Sequence, residues 1–296
     1  MKIIDCITFF DEEMLLDFRL NQLNDKIDKF VIVESKFTHS GKKKKLNFDI
    51  KKYSNFKNKI DYLVINEEPS DIHEVKEKDT LEEKNSKLIL NGMCRDFYQR
   101  NYISNALKNI DPNDYVIISD LDEIPNLEKI NLFDIKNKII IFQQKNLYYK
   151  FNLYLENYTW NGSRACRYKY LKSPQWLRNI KSKNYPFWRI DTMFSKTKYK
   201  DIFFVEDGGW HFSYLKTPED IEKKLKSYAH HREYDLEPIG IQNIKEIIKN
   251  KKAIYDLKTD MRKSKFAGEQ KLKILNSEKL PKYLIKNINK YKEWLE

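Results

Sequence analysis

Asp120 and Asp122 stand one residue apart directly after the apolar run Tyr115-Val116-Ile117-Ile118-Ser119, with a third acid at Glu123 and a stopping Pro125. Two carboxylates at that spacing can reach one hard cation and leave its other positions to water or phosphate oxygens, as Mg²⁺ and Mn²⁺ commonly allow. The chemistry such an ion suits is departure of a nucleoside diphosphate. A bare Asp-x-Asp also occurs in many turns; what distinguishes this one is the buried strand expected to present it.

Distant residues could complete the site. Arg100 lies on a helix face with Met93, Phe97, Ile103 and Leu107, and a buried guanidinium needs an anionic or hydrogen-bonding partner, either a strand-end acid or a diphosphate. Glu206 and Asp207 precede Gly208-Gly209, where the chain can bend sharply, and Trp210 and His211 follow. His211 could be a third metal ligand beside Asp120 and Asp122, or a histidine packed in an aromatic strand. Asp207 is the candidate general base toward an acceptor hydroxyl, with Glu206, Glu156 and Asp191 as the other carboxylates. Glu34 ends a second apolar run and leads into the polar loop Ser35-Lys36-Phe37-Thr38-His39-Ser40-Gly41, which could hold a nucleoside or merely connect elements. The lysines at 42–45 could neutralise a diphosphate or form a solvated face. Tyr148, Tyr149, Trp160 and Trp176 could stack on sugar faces or fill the core. His230 and His231 sit on a lysine-rich helix and are assigned no catalytic role.

The elements needed to position these residues are legible in the periodicity. Apolar runs at 2–10, 30–34, 62–65 and 115–118 read as buried strands, and a helix with Leu16, Leu20, Leu23 and Ile27 on one face follows Asp11, its expected cap. A long helix is expected over 80–110, a turn at Asp111-Pro112-Asn113-Asp114, further strands at 139–143, 147–155 and 202–205, and helices over 219–230 and 242–256. The alternation points to an α/β fold with a mostly parallel sheet flanked by helices and a helical C-terminal region. Residues 1–217 would form the α/β unit and 218–296 a helical extension packed on it.

Composition narrows the classes. The 296 residues are 41% apolar and 14% aromatic, with only 7 Gly and 8 Pro, so one compact unit without a flexible linker is expected. The net charge of +12 suits nucleic acid, an anionic membrane or sugar diphosphates. The lysines are scattered and no nucleic-acid motif accompanies them, so no specific nucleic-acid partner is expected. Cys6, Cys94 and Cys166 are far apart and flanked by apolar residues, which fits reduced structural thiols. Met1-Lys2-Ile3-Ile4-Asp5 carries no signal-peptide core or membrane anchor, so the expected location is cytoplasmic.

Taken together, the segments resemble glycosyltransferase family 17 over nearly the whole chain. The residues that carry the resemblance run from Phe10 to Arg19, Phe30 to Gly41, Ile117 to Pro125, Gly209 to Tyr214 and Pro281 to Asn287. The resemblance implies a nucleotide-binding fold of the GT-A kind, a UDP-N-acetylglucosamine donor, a divalent metal, a glycan or glycoprotein acceptor and inversion at the anomeric carbon. It makes Asp120 and Asp122 the metal and diphosphate acids, Glu123 a donor-sugar contact or a support for the loop, Glu34 part of the nucleoside pocket, and Trp210 and His211 the motif closing the site. The composition fits a bacterial or viral member that builds a surface glycan or decorates a protein. Two other readings are a non-catalytic carbohydrate- or nucleic-acid-binding protein on the same scaffold, and a nucleotidyltransferase. The second would carry a glycine-rich phosphate loop after the first strand, where this chain has Thr8-Phe9-Phe10-Asp11-Glu12.

Overall fold

The computed structural model describes residues 1–228, 231–255 and 270–296; His230 and Asp256, expected at the ends of two helices, lie outside them. The β-branched and aromatic runs read as strands form β1 (Ile3–Phe9), β2 (Lys29–Ser35), β3 (Ile60–Ile65) and β4 (Tyr115–Asp120). They pair in parallel in the order β3-β2-β1-β4, with Phe9 opposite Glu34 and Thr8 opposite Asp120. Both faces of β1, β2 and β4 are covered, which is why their sequences are nearly continuous apolar runs rather than alternating ones.

Beyond β4 the sheet continues through β7 (Leu153–Arg167), β6 (Ile139–Tyr148), β9 (Gly209–Ser213) and β5 (Glu123–Pro125), while β8 (Ile202–Val205) pairs with β6. The β4–β7 and β6–β7 ladders are antiparallel and the β6–β9 ladder is parallel. The sheet is therefore mixed but mostly parallel, and with helices on its faces it is an α/β fold consistent with the GT-A kind.

One face carries α1 (Glu13–Leu23) and α8 (Lys282–Lys286), with Phe18, Phe151, Phe212 and Tyr291 packed edge to face between them and the sheet. The other face carries α2 (Leu81–Tyr102) and α3 (Pro174–Asn179), over a cluster that includes Cys6, Val31, Val33, Ile118 and Leu177. The short helix α4 (Asp191–Phe194) precedes β8, and a further cluster lies under α5 (Pro218–Leu225) and α7 (Ile241–Lys249), with α6 (His231–Leu236) between them in the chain. The C-terminal part is mainly helical, with one two-residue strand, β10 (Lys273–Ile274), added to β7. The three cysteines are free, and Cys6 and Cys166 are buried. No helix among the described residues is long and apolar enough to cross a membrane.

A buried ion pair lies beneath the central strands. Arg19 donates from Nε and Nη2 to both oxygens of Asp5, at 2.7 and 2.6 Å, and neither side chain is exposed to solvent. The remaining nitrogen of Arg19 donates to the backbone carbonyls of Glu123, Leu121 and Asp120. One buried guanidinium thus ties α1 to β1 and to the loop that follows β4.

Several local expectations differ from the outcome. The stretch 147–155 is not one strand: β6 ends at Tyr148, the chain turns through Tyr149 at φ 60° without a glycine, and β7 then runs for fifteen residues. Asp11 does not cap α1, because Lys216 and Lys223 hold its carboxylate. Thr80 does cap α2, in a reciprocal arrangement with Glu83. The buried side of α2 carries Asn91, Gln99 and Arg100 rather than Met93 and Phe97, because this helix covers a polar site at the strand ends instead of a purely apolar core.

Candidate functional site

A cavity of about 570 Å³ opens at the carboxyl ends of β1, β2 and β4. It lies between β1 and β4, where the chain order of the parallel strands reverses and loops diverge to leave a crevice. Phe9 and Phe10 reach it from the end of β1, Phe37 and His39 from the loop after β2, and Asp120, Leu121 and Asp122 from the end of β4. The wall opposite comes from β6, β7 and β9 through Asn146, Trp160 and His211, and from α5 through Lys224. Both parts of the chain as expected from sequence, 1–217 and 218–296, therefore contribute to it.

The first acid is held by two guanidinium groups. Asp120 accepts from Arg100 Nη2 at 3.0 Å on one oxygen and from Arg178 Nη2 at 2.9 Å on the other. Burial opposes its ionisation, yet Arg178 and Arg100 outweigh that and hold the carboxyl well below the usual carboxylate range. Arg178 also makes two bonds to the fully buried Glu123, at 2.6 and 2.8 Å, and Glu123 further accepts from the Trp160 indole at 2.8 Å and from the Asp120 amide at 3.1 Å. Of the two roles expected for Glu123, the geometry is that of the loop support. Arg100 is paired with Asp96 at 3.0 Å and donates to Gln175 as well, so its partner is the strand-end acid together with its helical neighbour.

The second acid faces differently. Asp122 accepts from Lys224 Nζ at 3.2 Å and has its other oxygen 3.7 Å from His211 Nε2. The His211 ring stacks on Trp160 with centroids 4.3 Å apart, and its Nδ1–H donates to Asn146 Oδ1 at 3.0 Å. Burial lowers the His211 pKa despite the nearby carboxylates, so the ring is neutral at pH 7 and Nε2 keeps its lone pair toward Asp122. Glu12 lies on the other side of Lys224 at 3.5 Å. Burial works against its charge, but Lys224 and Lys216 bring its pKa down to about 2. The four carboxylates of the cavity wall, at Glu12, Asp96, Asp120 and Asp122, thus all have cationic partners.

Among the described residues, no group of three or more His, Cys, Asp or Glu side chains is arranged to hold a metal ion. The expected trio is not assembled because Asp120 is turned to Arg100 and Arg178. Asp122 and His211 are brought together, as a carboxylate oxygen and a ring nitrogen facing the same space.

Comparison with known proteins decides the family. The model of glycosyltransferase family 17 matches residues 1–296, the whole chain. The chain belongs to glycosyltransferase family 17. It is similar to the beta-1,4-mannosyl-glycoprotein 4-beta-N-acetylglucosaminyltransferases of Rattus norvegicus and Homo sapiens, at 24% identity over 245 residues in each case. The match takes in 76% of this chain and 42% and 43% of those proteins, so the chain spans less than half the length of the curated relatives it matches.

For this family 17 chain, five of the expected site residues do not line the cavity: Glu123, which supports the loop, and Glu34, Trp210, Asp207 and Glu206. Glu34 is fully buried and its oxygens accept from Lys44, the Asn47 and Phe48 amides and the Tyr62 hydroxyl. It shapes the loop after β2 from beneath instead of forming a nucleoside contact; Lys44, its partner, does line the cavity. Trp210 points to the opposite face of β9 from His211, into the core, and its indole donates to the Lys279 carbonyl at 2.8 Å. The alternation of side chains along a strand forces that separation. Asp207 and Glu206 sit at the start of β9, whereas the cavity is at its other end. Asp207 is exposed and paired with Lys145 and with Lys129 at 3.5 Å. The glycines that follow do mark a tight passage: at Gly209, φ 135°, a Cβ would lie 2.1 Å from the Ile124 carbonyl oxygen. Asp207→Asn is accordingly expected to leave kcat within about twofold of wild type, as measured by initial-rate kinetics over pH; a loss of the acidic limb of that profile would restore Asp207 as the base.

Of the aromatic candidates, Tyr148 and Trp160 line the cavity, while Tyr149 is buried in the core and Trp176 packs against Tyr199. Glu156 and Asp191 are paired with lysines or arginine outside it. Sequence reasoning missed Arg178, Lys224, Glu12, Asp96 and Gln99. Asp96 could have been found from its i,i+4 spacing to Arg100, and Glu12 from its place just after the first parallel strand. Arg178 and Lys224 carry no such signal, since only the return of distant segments brings them to β4.

Proposed function

We propose that this chain transfers a sugar from a nucleotide-sugar donor, N-acetylglucosamine from UDP-N-acetylglucosamine, to a hydroxyl of a glycan acceptor with inversion. The observation that carries this reading is that Asp120 and Asp122, at the switch point of the sheet, share one cavity with Arg100, Lys224 and His211. That the similar rat and human proteins are N-acetylglucosaminyltransferases supports the donor class.

In this reading the rings of Phe10 and Phe37 and the imidazole of His39 border the nucleoside, at the ends of β1 and β2. The ammonium of Lys224 and the guanidinium of Arg100 face the diphosphate and oppose the charge that grows on it as the glycosidic bond breaks. Asp122 and His211 Nε2 would be the residues to hold one Mn²⁺ or Mg²⁺, and the ion would supply further neutralisation of the departing diphosphate. Trp160 and Tyr148 offer faces on which an apolar sugar surface can stack.

A panel of nucleotide sugars, assayed for nucleoside diphosphate release with and without Mn²⁺, tests this reading. Release from UDP-N-acetylglucosamine above all other donors is the expected result, with a β-linked product by proton NMR when a glycan acceptor is supplied. Absence of both turnover and binding for every nucleotide sugar in the panel would overturn it.

A further inference from the structure

Large apolar side chains that stay exposed in this chain are mostly solitary, but five of them fall within eight residues. Phe187, Trp188, Ile190, Met193 and Phe194 are 66–84% exposed, on the segment between α3 and β8. Isolated exposed apolar residues are ordinary; a contiguous group of this size marks an interaction surface.

The segment is built, not loose. Its base is closed by the Lys181 amide on the Thr197 carbonyl at 2.8 Å and by the Trp176 indole on the Lys196 carbonyl at 3.0 Å. Within it, the Arg189 amide bonds to the Pro186 carbonyl at 3.1 Å, the Met193 amide to that of Ile190 at 2.9 Å, and Lys200 Nζ to that of Phe187. Thr192 turns inward, and the large apolar side chains turn outward. Phe187 and Trp188 meet edge to face with centroids 5.0 Å apart, presenting an aromatic tip.

The segment that carries the tip is strongly cationic, with Lys181, Lys183, Arg189, Lys196, Lys198 and Lys200 on the tip's two flanks in sequence. The one acid among residues 181–200, Asp191, is already paired with Arg189 at 2.7 Å and Lys198 at 2.7 Å. An apolar protein partner would explain the tip without the cations, and a polyanion the cations without the tip. A bilayer with anionic headgroups answers both, since aromatic and aliphatic side chains enter the headgroup boundary while lysine and arginine stay among the phosphates.

We propose that residues 185–194 are a membrane-surface wedge by which this chain attaches peripherally to bilayers containing anionic lipid. The wedge follows α3 after five residues, 180–184, and Arg178 and Gln175 of that helix hold Asp120, Glu123 and Arg100, so a bilayer engaged by it lies a short stretch of chain from the site. The proposal does not depend on which sugar is transferred.

The test is co-sedimentation of the full chain with vesicles of phosphatidylcholine alone and with added phosphatidylglycerol, together with quenching of tryptophan emission by brominated phospholipid. Wild type is expected to bind the anionic vesicles, with emission quenched, and Trp188→Phe to remove most of that quenching. Combining Phe187→Ser, Trp188→Ser and Phe194→Ser should weaken binding at least roughly tenfold with an unchanged thermal melt, and Lys183→Glu with Lys196→Glu should weaken it in a salt-dependent way. The proposal is overturned if wild type ignores anionic vesicles, or if Trp188→Phe leaves the quenching intact, which would place the contact elsewhere among the scattered lysines. It is equally overturned if wild type self-associates in sedimentation velocity and the triple variant does not, which would make the patch an interface between copies of this chain.

Discussion

Asp122→Asn is expected to lower kcat for sugar transfer by about 10²- to 10³-fold or more, the scale seen when one preorganised electrostatic group is lost from a site. The melting temperature should stay within about 2 °C of wild type, because the side chain lines an open cavity and Lys224 keeps Glu12 as its other carboxylate partner. Asp122 is singled out by its surroundings. Asp120 is tied on both oxygens to arginines, whereas Asp122 faces the cavity between Lys224 and a neutral His211. The amide keeps the size and the backbone bond from the Phe212 amide to the Asp122 carbonyl at 2.8 Å, so folding and chemistry separate cleanly. Steady-state kinetics with the donor that the nucleotide-sugar panel selects, beside a thermal melt, measures both. Wild-type turnover by this variant would remove the cavity from the mechanism.

Arg19→Met should produce a large loss of stability. Removing one partner of a fully buried ion pair leaves an uncompensated charge and costs about 3–5 kcal/mol. Here the charge left behind is Asp5, at the centre of β1 with no exposure. Three carbonyls of the 120–123 loop lose their donor in the same step. For a chain of this size the melting temperature should fall by roughly 10 °C, read by calorimetry. Asp5→Asn with Arg19→Met should recover part of that loss, because the buried charge is then gone, but not the turnover, because the loop still lacks its donor. No recovery of stability in the double variant would mean that the pair acts only through packing.

Both predictions rest on residues whose importance was unevenly visible. Asp122 is legible as the second of two acids, Asp120 and Asp122, placed where the apolar strand 115–118 ends. Arg19 was noticed only as part of a family-like segment; nothing in its helix pattern says that it must reach Asp5 fourteen residues back and Glu123 a hundred and four residues on. The same holds for Arg178. Its partners Asp120 and Glu123 lie fifty-eight and fifty-five residues earlier, and the contact exists because β7 and α3 return beside β4.

Local order could be read from the chain because it is governed by neighbours: apolar runs bury, Thr80 caps α2, and Gly208-Gly209 pass where a Cβ would collide. That was enough to specify an α/β sheet and an acid pair at a strand end. Which face a side chain takes, and which charge meets it, was decided by folding. Trp210 and His211 are adjacent in sequence yet serve the core and the cavity, because a strand alternates its sides. Glu34 and Asp122 each follow or end an apolar run, yet one is sealed by Lys44, Tyr62 and two amides and the other opens on the cavity. Electrostatic partners act through space over a few ångströms, so their assignment waits on the tertiary structure that brings β4, α2, α3 and α5 to one point.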